Sequence, residues 1–224
     1  MTIKRAAMLV TTVAGLALAI PQAGAVDGPV VGHFSFGPSF VQGDVADALD
    51  DGWALHGGAT WFTAGRPNLG YRLDIGYDWW DAKEDFLRGI DTEPNLPGIT
   101  PPDDGDARVW SGTFDLLWNS KGSGRLGFYL VGGLGIYYAQ AHISETGYGT
   151  GYYCDPWWGW CYPAVVEGQY IIDDKSSWEW GANAGAGLTF QAGANTEIYL
   201  EAVYHWLDTP NSGAFVPVSF GVRW

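Results

Sequence analysis

The last residues of the chain alternate between two kinds of side chain up to the final residue. The apolar positions are Val216, Val218, Phe220, Val222 and Trp224. The residues between them, Pro217, Ser219, Gly221 and Arg223, are small or polar. A period of two indicates a β-strand with one apolar face. Such a strand with an aromatic residue at its end is typical of the strand that closes a transmembrane β-barrel.

The first residues have the pattern of a secretory signal peptide. Lys4 and Arg5 form a basic region, residues 6–20 are apolar, and Ala23-Gly24-Ala25 is a small-residue cleavage site. We therefore expect residues 1–25 to be removed and the mature chain to begin at Val26. No later segment has the roughly 18 consecutive apolar residues that indicate a membrane-spanning helix.

The charge of the chain excludes one class of partner. Without Lys4 and Arg5 it carries nine basic residues against 25 acidic ones, a net charge of −16. A surface so acidic is unsuited to neutralising phosphates, so we expect no nucleic-acid partner. Hydrophobic residues make up 47% of the chain, which excludes disorder. Residues 26–224 have the length of one all-β domain, an outer-membrane β-barrel domain.

Alternation predicts eight strands. They cover residues 30–40, 52–63, 69–80, 107–118, 125–143, 177–190, 196–207 and 215–224. Tyr71, Leu73, Ile75, Tyr77 and Trp79 form the apolar face of the third strand. Aromatic residues fall at both ends of such faces, as on a lipid-facing wall. The sequence therefore predicts an all-β fold, a single antiparallel up-and-down transmembrane barrel.

The lengths of the connections provide an independent argument for a barrel in a membrane. The even connections, 64–68, 119–124 and 191–195, are short and rich in Gly, Asn and Pro. The odd connections, 41–51, 81–106, 144–176 and 208–214, are longer. Outer-membrane barrels have short periplasmic turns and long extracellular loops. A soluble sandwich or lipocalin-like barrel has no reason to separate loop lengths by end.

Several segments resemble the broad family of small OmpA-like outer-membrane β-barrel proteins. They are Gly43-Asp44 with Asp51-Gly52-Trp53 and Gly57-Gly58, residues 128–135, residues 199–205 and the last strand, 215–224. The resemblance implies residence in the outer membrane of a Gram-negative bacterium, among outer-membrane lipid and lipopolysaccharide. It also implies insertion by the outer-membrane assembly machinery, which reads the final strand with Phe220, Val222 and Trp224. It implies no activity, and we expect a monomer.

Charged residues of the predicted inner face are the first candidate functional set. They are Arg72, Asp74, Asp78, Asp115, Glu179, Glu197, Glu201 and Arg223, with His33, His56 and His205. An eight-stranded barrel is just wide enough for side chains to fill it, and a buried charge must be paired or stay wet. We expect a salt-bridge plug around Arg72 and Arg223. The alternative is a narrow small-solute or cation-preferring channel, because carboxylates outnumber arginines. No metal or cofactor is expected.

The third long loop is the second candidate. Cys154 and Cys161 are close in sequence and, in an oxidising compartment, are expected to form a disulfide. Between or beside them lie the aromatic residues Tyr152, Tyr153, Trp157, Trp158 and Trp160. Rigid aromatic side chains are common in binding loops. With the acidic first and second loops, they suggest a non-enzymatic protein that serves envelope stability, surface binding or adhesion.

An enzymatic alternative depends on residues at the outer end of the fifth strand. His142 and Ser144, followed by Glu145, resemble the His-x-Ser arrangement of lipid A deacylases. The Asn-Ala-Gly stretch expected after that serine is absent, and the motif lies in a different strand. We therefore expect no catalytic residues.

Overall fold

The computed structural model describes residues 30–63, 65–89, 104–120, 125–154, 161–193, 195–209 and 213–224. For residues 67, 88, 89, 145–154 and 161–174 it describes the backbone only. The predicted signal peptide, residues 1–25, and the three loop tryptophans, Trp157, Trp158 and Trp160, lie outside the described residues.

Eight antiparallel strands form a closed barrel in which each strand pairs with its neighbours in sequence, and β1 pairs with β8. The predicted fold is confirmed. The strands are β1 (Val30–Gln42), β2 (Gly52–Thr63), β3 (Arg66–Asp81), β4 (Asp104–Ser120), β5 (Leu126–Cys154), β6 (Cys161–Gln191), β7 (Glu197–Leu207) and β8 (Ala214–Arg223).

The register of the strands fixes the tilt of the barrel. A line of directly paired residues that starts at Val31 on β1 returns to β1 at Val41, ten residues further along. The line passes through Thr60, Arg72, Asp115, Gly133, Asn183, His205 and Phe215. A stagger of this kind is what closes a tilted sheet on itself. All of these positions face the lumen, so several of the polar side chains described below lie along this line.

The outer face of the wall is apolar. Leu73, Ile75 and Leu134 are among its exposed side chains, at 49%, 62% and 68%. Aromatic rings border this region near both ends of the barrel. At the upper rim, where β3 ends and β4 begins, the ring centroids of Tyr77 and Trp110 are 4.6 Å apart. At the lower rim, where β4 ends and β5 begins, Trp118 packs against Phe128. The end of the chain exposes three further apolar side chains, those of Phe220, Val222 and Trp224. Monomeric soluble proteins rarely expose so large an apolar surface.

One predicted connection is wrong. Most of residues 144–176 form strand rather than loop, because β5 and β6 continue as a two-stranded ribbon beyond the other strands. The ribbon pairs from Glu145↔Tyr170 to Cys154↔Cys161. Pairing satisfies the backbone groups on the facing edges of the two segments. These segments include Tyr148, Tyr152, Val165 and Val166, whose high β-propensity favours strand.

The connections that follow β1 and β3 contact each other at one end of the barrel, here called the mouth. A 3-10 helix (Gly43–Asp47) follows β1, and a short helix α1 (Glu84–Gly89) follows β3. Leu49 and Ala82 form an isolated bridge, and the Lys83 amide donates to the Ala48 carbonyl oxygen over 2.9 Å. Neither helix, nor any other in the described part of the chain, has the length and hydropathy of a membrane span.

Candidate functional site: the barrel lumen and the β5–β6 ribbon

The centre of the lumen holds a network of buried charges that joins four strands. Arg72 of β3 reaches across the barrel to Glu201 of β7, with Nη1 to Oε2 at 2.5 Å and Nη2 to Oε1 at 3.0 Å. The Arg72 guanidinium also donates from Nε to Asp74 Oδ2 over 2.5 Å. His33 Nε2 lies 3.0 Å from Asp74 Oδ2, and the Tyr129 hydroxyl donates to Glu201 Oε2 over 2.7 Å. Low dielectric strengthens such charge-assisted bonds.

Two smaller networks satisfy the remaining central carboxylates. Asp78 accepts from the Ser39 hydroxyl over 2.8 Å and lies 3.1 Å from His56 Nε2. Asp115 accepts from Asn183 Nδ2 over 2.8 Å. It also accepts from the Thr113 hydroxyl over 3.0 Å. Each network joins strands that are apart in sequence.

Apolar and aromatic layers lie above and below these charges. The upper layer comprises the buried side chains of Trp80, Val109, Tyr137, Leu207 and Phe215. The lower layer comprises Leu117, Tyr129 and Tyr199, with Phe62 packed against them. Inward-facing glycines make room for the rings: a Cβ atom on Gly187 would overlap the Tyr129 ring, and one on Gly221 would overlap the Tyr199 ring. The polar centre is therefore covered on both sides.

Arg223 does not make the salt bridge that the sequence led us to expect. Within the described residues no carboxylate lies within 4.0 Å of it, although it is only 4% exposed. Its guanidinium carbon lies 4.0 Å from the ring centroid of Tyr129 and 4.7 Å from that of Tyr199. These are cation–π distances. The predicted plug around two arginines is therefore centred on Arg72 alone.

Glu179 and Glu197 also lie outside the central network. Glu179 is half-buried opposite Tyr137 in the register, and Glu197 is half-buried opposite Arg223 and Gln191. In the described part of the chain neither takes part in an ion pair within 4.0 Å.

A small cavity remains among the residues of the central networks. Its volume is about 10 Å³, and its lining includes His56, Arg72, Asp74, Asn183 and His205. A volume of 10–15 Å³ is the least that holds one water molecule. No group of three or more His, Cys, Asp or Glu side chains suited to a metal ion occurs in the described ranges. Among the described residues, the paired charges and the two apolar layers occupy the lumen around this cavity.

Acidic residues surround the mouth of the barrel. Burial, together with the nearby carboxylates Asp104, Asp106 and Asp50, raises the pKa of Asp81. Asp106 is also 2.6 Å from the Arg108 Nε atom in a partly exposed ion pair. The mouth therefore carries carboxylates that repel one another.

Among the described residues, the β5–β6 ribbon continues furthest beyond the strands beside it. Its last pair of residues is Cys154 and Cys161. Directly opposite residues of an antiparallel pair have Cα atoms about 4.5–5.5 Å apart. This separation lies within the range of disulfides, about 4.4–6.8 Å. Tyr152 and Tyr153 are strand residues beside this pair, and only their backbone is described.

His142 and Ser144 lie in β5 at the outer end of the wall, and both are half-buried. Asp106 and Asp174 lie opposite His142 in the register, and Asp104 and Ile171 lie opposite Ser144. The side chain of Glu145 is outside the described part of the chain. The deacylase arrangement stays a hypothesis.

Three inward-facing tyrosines were not among the residues predicted from the sequence. Tyr129, Tyr137 and Tyr199 are each at most 1% exposed and separate the polar centre from the ends of the barrel. Strand parity is the signal that finds them, since each alternates with the lipid-facing residues of its strand. Inward-facing Gly187, Gly181 and Gly221 on neighbouring strands are a second signal, because a large ring beside a glycine fills space that the glycine leaves.

A closed barrel of eight antiparallel strands with an apolar outer wall is the fold of small outer-membrane proteins. Neither a protein-family model nor a curated protein sequence matches the chain. Solved structures match the chain.

The chain is similar to a major outer membrane protein from Thermus thermophilus, with 14% identity, 88% of this chain and 99% of that chain covered, and a TM-score of 0.50. Neisserial surface protein A has 12% identity, coverages of 87% and 94%, and a TM-score of 0.49. The attachment invasion locus protein of Yersinia pestis has 15% identity, coverages of 89% and 100%, and a TM-score of 0.47. At such identities the likeness concerns the fold alone.

Proposed function

We propose that this protein is a non-enzymatic integral outer-membrane protein whose sealed barrel anchors an extracellular β-ribbon that makes surface contacts. The observation that carries the proposal is the filled lumen, in which paired charges lie between two apolar layers. A barrel filled in this way is suited to hold a structure in the membrane rather than to pass solutes through it.

The apolar wall supports the location. Its exposed leucine and isoleucine side chains lie between aromatic rims. Aromatic residues favour the interfaces of a bilayer, and aliphatic residues favour its centre. The partners of the wall are therefore outer-membrane lipid and lipopolysaccharide, and the assembly machinery would recognise the last strand.

The ribbon supports the role in surface contact. Ten residue pairs extend it from Glu145↔Tyr170 to Cys154↔Cys161. At about 3.4 Å per residue, this corresponds to a length of roughly 35 Å. A disulfide between Cys154 and Cys161 would fix the aromatic segment between them at the tip. Rigid aromatic side chains offer contact area at low entropic cost, and their faces suit sugars.

The position of the ribbon can be tested on intact cells. An epitope tag replaces residues 156–159 in one variant and follows Gly193, in the turn between β6 and β7, in the other. We expect antibody to label only the ribbon variant on intact cells, and both variants after permeabilisation. Labelling of only the turn variant on intact cells would contradict the proposal.

Surface contact needs a separate test. Liposomes containing the full chain are compared with liposomes containing a variant in which Gly-Gly replaces residues 146–169, which keeps the pair Glu145↔Tyr170. The probes are immobilised lipopolysaccharide and a set of neutral and acidic polysaccharides. We expect the full chain to bind at least one probe and the shortened chain to lose that binding. Equal binding, or no binding to any probe, would contradict the role of the ribbon.

A channel is the second candidate function. The observation that favours it is the excess of buried carboxylates, Asp74, Asp78, Asp115 and Glu201, over the arginines Arg72 and Arg223. Such an excess would favour cations if the layers opened. Conductance across a planar bilayer distinguishes the two functions.

A further inference from the structure

We propose that the lumen contains a binding site for one water molecule, held between Asp74 of β3, Asn183 of β6 and His205 of β7. The site is distinct from the proposed surface contact and does not depend on it.

Three buried polar atoms carry the inference. Asp74 Oδ1, Asn183 Oδ1 and His205 Nε2 have no hydrogen-bond partner among the described residues, although their side chains make other bonds. The three residues are 5%, 6% and 3% exposed. A buried polar atom without a hydrogen-bond partner destabilises the fold, so three such atoms on residues that line one cavity require a partner.

The three residues line the same cavity of about 10 Å³. That volume admits one water molecule and nothing much larger. Buried waters typically make about three hydrogen bonds to polar groups that are otherwise unsatisfied. The three unsatisfied atoms and the cavity volume of about 10 Å³ therefore both match one water molecule.

The chemistry of the three atoms also matches water. The two oxygens of Asp74 and Asn183 accept, so they can take both water protons. His205 Nδ1 lies 3.0 Å from the Tyr137 hydroxyl. When that hydroxyl donates to Nδ1, Nε2 carries the ring proton and donates to the water oxygen. One water then satisfies all three atoms.

A crystal structure of the full chain at better than about 1.8 Å, from crystals grown in sodium salts and soaked in a thallium salt, tests the site directly. We expect a density peak within 2.6–3.2 Å of all three atoms, the hydrogen-bonding range, without anomalous signal from thallium. An anomalous peak would show a monovalent cation instead and would overturn the proposal. A lumen without a peak there would overturn it as well.

A measurement in solution complements the crystal structure. Val203 lines the cavity with an apolar side chain, so Val203→Ile fills the space and removes no polar partner. Val109→Ile, in the upper apolar layer, is the matched control. Oxygen-17 relaxation dispersion counts long-lived waters in the detergent-folded barrel. We expect one fewer in the Val203 variant and no change in the control, whereas equal counts in all three proteins would overturn the proposal.

The tautomer of His205 provides a spectroscopic signature. We expect nitrogen-15 chemical shifts of the neutral ring with the proton on Nε2. A proton on Nδ1 would leave the site with three acceptors, which one water cannot satisfy, and would contradict this arrangement.

Discussion

Arg72 and Glu201 face each other across the barrel and make two hydrogen bonds that join strand β3 to strand β7. Their side chains are 3% and 2% exposed. This pair links opposite walls of the lumen, so removal of either partner leaves the other charge buried.

Arg72→Met should therefore lower the free energy of unfolding by about 3–5 kcal/mol, because Glu201 and Asp74 lose their cation. Urea unfolding of the detergent-folded barrel measures the change. The double variant Arg72→Met/Glu201→Met should be more stable than Arg72→Met. Arg108→Met, which removes a partly exposed pair with Asp106, is the control and should cost less than about 1 kcal/mol. Equal effects of the two single variants would contradict the role of the buried pair.

Gly187→Ala should destabilise the barrel by about 1–3 kcal/mol, because its methyl group would overlap the Tyr129 ring of the lower layer. The same unfolding assay measures it. Gly112→Ala is the matched control, because a Cβ atom at that outward position has no neighbouring atom within 4 Å. A Gly187→Ala variant as stable as the natural chain would mean that the Tyr129 side chain is free to leave the lumen.

The mouth of the barrel should become more stable as the pH falls. Burial and the neighbouring carboxylates raise the pKa of Asp81, so the cost of its buried charge and the repulsion are present above that pKa and are relieved as the pH falls through it. Asp81→Asn should slow hydrogen exchange at the Asp50 and Ala82 amides at pH 7. The difference from the natural chain should disappear in acid, below the pKa of Asp81. Exchange at the wall amide of Leu73 is the internal reference, and a difference that persists in acid would contradict the electrostatic cause.

Cys154→Ser should leave barrel folding unchanged, because the pair with Cys161 closes a short loop at the tip of the ribbon and does not belong to the wall. The chain-entropy contribution of such a loop is about 2–3 kcal/mol and acts locally. Heat-modifiable migration on gels measures folding, and mass spectrometry under non-reducing conditions should find the two cysteines linked. Free thiols after export, or a variant that does not fold, would contradict this prediction.

The fold was predictable because one simple signal, the period of two, recurs in every strand. Leu73 faces the lipid side of the wall, Asp74 faces the lumen, and the residues beside them alternate in the same way. The end of β5 was not predictable in the same way, since a long insertion that pairs only with itself needs no lipid-facing pattern.

The partners within the lumen were harder to predict. Strand parity places Arg72 and Arg223 in the lumen. Which carboxylate each guanidinium contacts depends on the tilt of the strands and on the aromatic rings beside it. Arg72 and Glu201 are 129 positions apart, and Arg223 stacks on tyrosines that are assigned to the lumen only by their position in the strand. Side-chain identity alone does not determine such contacts.

Conductance across a planar bilayer tests the sealed barrel most directly. Purified full-length protein is inserted into a solvent-free bilayer in about 1 M potassium chloride, with a known porin as the positive control. The two apolar layers and the pair between Arg72 and Glu201 predict no steady openings. Steady, ohmic openings with preference for cations would contradict the sealed anchor and establish the channel.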